Sequence, residues 1–162
     1  MARKIWGERE EYRPYLEQAV ELFPTLLGHV RRSRIFLAGF IARRSSFLAK
    51  IRSNKTPWSL LHPDYDYAIE FWDPTFEKSP EDVKVYVMVH ELFHIPDGGF
   101  KKKGPEYRKL KKHDVEEFQT LVAVYGLNLE KVHRIMQGEK KFFDELEEKK
   151  HSKGYRKFPH IH

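Results

Sequence analysis

The sequence predicts an α+β domain: a short mixed or antiparallel sheet packed on one central helix, with further helices on either side. Three observations predict it. An apolar stripe of helical period opens the chain. Three short runs of strand character follow between positions 35 and 72. A capped, strongly apolar helix then comes before charged helical segments. Helix, strands, helix, helix is the order of an α+β layer fold. At 162 residues the chain fits one domain. It can bury a core without covalent staples. We assign 1–138 to that domain and 139–162 to a charged C-terminal helix and basic tail.

Taken in order, Tyr15 to Val30 carries Leu16, Val20, Phe23, Leu26 and Leu27 near one helical face. Pro24 is placed to break or kink it. Ile35 to Ile41 is an apolar run of buried-strand length. Ser46 to Ile51 alternates Phe47, Ala49 and Ile51 with Lys50, which suits a second strand. Asn54 to Pro63 is loop, marked by Pro57 and Pro63. Tyr65 to Trp72 alternates again, with Tyr65, Tyr67, Ile69 and Phe71 on one face. An exposed edge on that strand would suit pairing with an extended peptide. The segment 97–112 is a basic loop. Asp114 to Glu117 fits a capping box opening a helix to about Tyr125, Leu129 to Met136 continues helical, and Glu139 to Lys150 is a charged helix. His151 to His162 reads as a frayed basic tail.

The chemistry concentrates in the central helix. Ser79 suits its N-cap, Pro80 its first position, and Glu81 and Asp82 the positive end of its dipole. Pro96 and Asp97-Gly98-Gly99 end it, so it spans about Pro80 to Ile95, roughly four turns. Inside its apolar half stands His90-Glu91-Leu92-Phe93-His94. Residues i and i+4 lie on one helical face, so His90 and His94 can take two corners of a tetrahedral zinc. Glu91 can then serve as general base toward water at that ion. With nine histidines in the chain the pentapeptide also arises by accident, so its setting decides. Two imidazoles and a carboxylate in a buried segment are costly without shared partners. A metal ion is the simplest one.

The absence of cysteine excludes disulfides and thiolate zinc sites, leaving His, Asp and Glu as ligands. Catalytic zinc keeps three protein ligands and an open position. His113, 19 residues beyond His94, is the best third ligand; Glu106, Glu117 and Asp97 are alternatives. Asp114 suits either the N-cap of the next helix or a carboxylate orienting a ligand imidazole. Tyr107 or Tyr86 would stabilise an oxyanion, although packing is the commoner use of tyrosine. His29, His62 and His133 are isolated, and His160 and His162 sit in the tail. The N-terminus has no apolar signal core and no run approaches membrane-spanning length, which predicts a cytoplasmic protein with no membrane partner. A net charge of +6 fits solvated lysine surface, or nucleic acid bound through the basic loop 101–112.

His90-Glu91-Leu92-Phe93-His94-Ile95-Pro96, followed by a glycine-containing basic loop and His113-Asp114-Val115-Glu116-Glu117-Phe118, resembles the phage-type metallopeptidases of phages and archaea. Those are similar in turn to the small SprT-like and zincin metalloproteases. The resemblance runs from about Arg34 to Tyr125. It implies a zincin-like fold, Zn2+ on His90, His94 and His113, and Glu91 as the catalytic base. The expected function is zinc-dependent hydrolysis of peptide or protein substrates. Alternatives are a nucleic-acid-associated protein with structural zinc, a protease acting on DNA-bound proteins, and a hydrolase of some other amide or ester.

Overall fold

The computed structural model describes residues 5–53, 64–100 and 107–139. Strand β1 (Ile5–Glu8) leads into helix α1 (Arg13–Leu22) and the short α2 (Pro24–Leu27). Pro24 thus divides the predicted opening helix in two, since it cannot donate the N–H that continuation would require. Strands β2 (Ile35–Ile41), β3 (Ala49–Ser53) and β4 (Tyr67–Asp73) follow. Helix α3 (Glu81–Phe93) carries the motif, and α4 (Lys112–Ala123) and a helix at 129–139, α5, close the described chain. The predicted helix beyond Glu139, the tail and the whole of the loop 54–63 lie outside the described residues, as does the 101–106 part of the basic loop.

The four strands are ordered β1-β2-β4-β3. β1 and β2 are antiparallel, β2 and β4 parallel, and β4 and β3 antiparallel, so the sheet is mixed. Strand β4 is therefore central, and all seven of its residues are buried. That corrects the expectation of a free edge on the 65–72 segment: both sides of β4 are paired, and the edge strands are β1 and, beside β4, β3. β3 itself starts at Ala49, three residues later than expected. Ser45 explains the delay, because its hydroxyl donates to Phe47 O (2.6 Å) and accepts from Phe47 N–H (3.2 Å), closing a local turn.

The start of α3 also departs from expectation. Pro80 occupies the N-cap position with extended backbone, and the hydroxyl of Ser79 turns back to Thr75 O at 2.7 Å. Glu81 and Asp82 still place negative charge in the first turn. Helix α4 begins two residues before Asp114, which becomes its third residue and accepts the Lys111 N–H at 3.0 Å.

Helix α3 packs between α1 and β3. Val83, Val85, Val87, Met88, Val89 and Leu92 are all buried on it. At about 1.5–3 kcal/mol each, their burial is worth on the order of 10 kcal/mol. That exceeds the cost of holding a few polar atoms out of water. The apolar helix can therefore carry a polar cluster in its last turns without losing its place in the core.

Candidate metal centre

His90, Glu91 and His94 offer one donor atom each, all within 4.8 Å of one another. Helical spacing brings the two imidazoles together, with ring centroids 5.2 Å apart. The cluster sits against β3. In an antiparallel ladder alternate N–H groups point away from the partner strand. The Ile51 N–H points outward from β4 in this way and donates to Glu91 Oε2 at 2.9 Å. The carboxylate thus hangs from the sheet edge by one oxygen, leaving the other for chemistry.

Each ring is oriented from outside the cluster. The ring of His94 brings Nδ1 to Arg108 O at 3.0 Å, so Nδ1 donates and Nε2 keeps its lone pair. Tyr107 stacks on His94, with centroids 4.9 Å apart and planes 11° from parallel. The ring of Phe118 in α4 meets the His90 ring at 5.5 Å. His90 Nδ1 is buried without a hydrogen-bond partner. Burial pushes His90 down to about 4, helped by the neighbouring His94. Burial also lowers His94. Both rings are therefore neutral near pH 7, the form in which imidazole binds metal. Burial drives Glu91 the other way, up to about 8, against the opposing Ile51 N–H and Lys50. A buried carboxyl with one neutral donor is short of positive charge. Two lone-pair imidazoles, an orphaned ring nitrogen and this carboxyl fit a divalent cation.

The remaining candidates are placed differently. His113 opens α4 with its side chain 74 % exposed, and its Nε2 lies 3.1 Å from Asp114 Oδ1; it is not among the clustered donors. Asp97 and Glu117 are exposed, and neither belongs to the cluster. Glu106 lies outside the described residues. Tyr86 is buried beside His90, and its hydroxyl accepts from Gln119. Tyr107 is half exposed, and its hydroxyl is held above the usual range by burial and by the charge of Glu91. Sequence reasoning missed two groups, the Ile51 N–H and Arg108. No side-chain signal marks the first, because any non-proline residue supplies an N–H. Arg108 lay within a run of basic residues that gave it no distinction.

A His-Glu-His cluster able to hold a metal ion, at the end of a buried helix and below the edge of a small mixed sheet, is a site that a metal-dependent α+β hydrolase could use. The match to a family profile makes this more particular: residues 4–140 match the family described as "Putative phage metallopeptidase", and the chain belongs to it. No curated protein and no solved structure matches the chain. No helix among the described residues is long and apolar enough to cross a membrane.

Proposed function

We propose that this protein is a zinc-dependent metallopeptidase with Glu91 as its general base. The observation that carries the reading is the His90-Glu91-His94 cluster, with Glu91 buried and both histidines partly so, in which two neutral imidazoles converge beside a carboxyl that has one oxygen left over. Membership of a metallopeptidase family supports peptides or proteins as the substrate class. His90 and His94 would hold the ion, and the lack of cysteine leaves nitrogen and oxygen donors, which suit zinc. When bound, zinc supplies a Lewis acid that polarises the scissile carbonyl and acidifies water.

The chain's own groups do the rest. Ionised once a cation's charge offsets the burial that raises it, Glu91 would take the proton of the attacking water on one oxygen, while the Ile51 N–H holds the other. The same carboxyl then delivers that proton to the departing amine. Tyr107, half exposed and stacked on His94, would donate its hydroxyl to the developing oxyanion. The outer edge of β3 offers backbone groups to an extended peptide by strand addition. His113 is the third protein ligand in this reading. The spacing of the sequence supports it, and its ring would have to turn from Asp114 toward the cluster.

Metal analysis of the purified protein tests the central claim. Near-stoichiometric zinc, lost in His90→Ala and His94→Ala, is expected, and a wild-type chain that binds none refutes the reading. His113→Ala should weaken zinc binding at least tenfold, as loss of a ligand requires, whereas exposed His133→Ala should leave it unchanged.

A further inference from the structure

The end of the motif helix is held by a residue that neither the motif nor the metal donor set includes. Arg108 Nε and Nη2 donate to Phe93 O at 3.1 and 2.6 Å. Its guanidinium carbon lies 4.1 Å from the centroid of the Phe93 ring. Its backbone N–H donates to His94 O at 2.7 Å, and its carbonyl accepts from His94 Nδ1 at 3.0 Å. One residue therefore satisfies two of the carbonyls that a helix C-terminus leaves open. It also fixes one imidazole.

We propose that Arg108 is a positioning residue for the metal centre: its side chain anchors the 107–108 segment on Phe93, and the anchored carbonyl holds His94 as the Nδ1–H tautomer with Nε2 facing the ion. This rests on the metal-binding reading of His90 and His94. The physical reasoning has two parts. A carbonyl can select a tautomer only while it stays within hydrogen-bond reach of the ring. The Arg108 carbonyl belongs to an irregular segment that has no ladder of its own to hold it. The bidentate guanidinium contact and its stacking on Phe93 supply that hold. Arginine suits the task because its planar fork donates twice from one side and packs flat on a ring. Tyr107, immediately before it, then meets the face of the His94 ring and restricts its rotation.

The test uses the whole chain. Two-dimensional 15N–1H spectra of the metal-free protein report the tautomer of His94, and competition with a chromophoric chelator reports zinc affinity. Wild type should show Nδ1–H at His94. Arg108→Ala should give mixed tautomers and bind zinc about 10–100-fold more weakly, the usual cost of losing a group that orients a metal ligand. Arg34→Ala, which removes a half-exposed arginine paired with Asp66 at 3.0 Å, is the control and should change neither readout. Wild-type affinity in Arg108→Ala overturns the proposal. So does weaker binding with the His94 tautomer unchanged, because that assigns Arg108 a general structural role. Should Arg108→Ala fail to fold, Arg108→Gln, which keeps one donor, is judged by the same two readouts. If wild type itself binds no zinc, the metallopeptidase reading falls. The tautomer comparison, made without metal, still decides whether Arg108 holds His94.

Discussion

Two buried carboxylates, Asp73 and Glu91, are treated in opposite ways by the same fold. Asp73 ends β4 and is 4 % exposed. It accepts from Arg9 Nε at 2.6 Å and from the Tyr12 hydroxyl. Glu91 is 8 % exposed and accepts one backbone N–H. Asp73 has charge and hydrogen bonds matched to it, and its work is to join β1, the residues before α1, and β4. Glu91 is left undersupplied, and the deficit is what a cation and a transferable proton would fill. An unmatched buried polar group costs stability. A fold keeps such a group where chemistry requires it. The contrast separates a carboxylate matched by its partners from one left short of them more sharply than burial does.

Substitution should expose the difference. The largest effect is expected from Glu91→Gln. It keeps the size and an oxygen for the Ile51 N–H, so zinc binding should persist while peptide hydrolysis falls by about 10²–10⁴-fold. The same variant should melt at a higher temperature than the metal-free wild type in calorimetry, because an undersupplied carboxyl has been replaced by a neutral amide. A lower midpoint would show that Glu91 stabilises the fold. Asp73→Ala should do the reverse. It should cost about 2–3 kcal/mol in urea unfolding by stranding the Tyr12 hydroxyl and the half-buried Arg9. The turnover of the folded fraction should stay within about twofold of wild type. Tyr12→Phe removes one of the two donors and should cost about 1–2 kcal/mol by the same measurement. Arg34→Ala, which breaks a pair nearer the surface, should cost less than about 1 kcal/mol.

The residues that carried periodic signals were legible. Ile35 to Ile41 and the apolar second half of α3 read correctly because burial forces their composition. β1 was missed: Ile5-Trp6-Gly7-Glu8 is short, contains glycine, and becomes a strand only because β2 is beside it. Ser79 looked like a cap, since the sequence does not show that its hydroxyl returns to Thr75. The strand at Tyr67–Asp73 was visible, but its central position was not, because strand order is a tertiary property. In the site, His90, Glu91 and His94 follow from helical spacing alone. The Ile51 N–H and the carbonyl of Arg108 are backbone groups brought in from distant parts of the chain, and backbone groups leave no trace in side-chain identity. Gly39 is an intermediate case. An added Cβ there would lie 2.0 Å from Asp73 Oδ2, so the glycine was visible and its reason was not.

The hydrogen bond from Ile51 to Glu91 has a consequence for how this sequence can vary. The group that holds Glu91 belongs to the main chain, so the identity of residue 51 is decided by the space around it. Valine or leucine there would leave the carboxylate held as before. Proline alone among the twenty amino acids would take the donor away, making position 51 a place where the setting of Glu91 constrains the alphabet by a single letter.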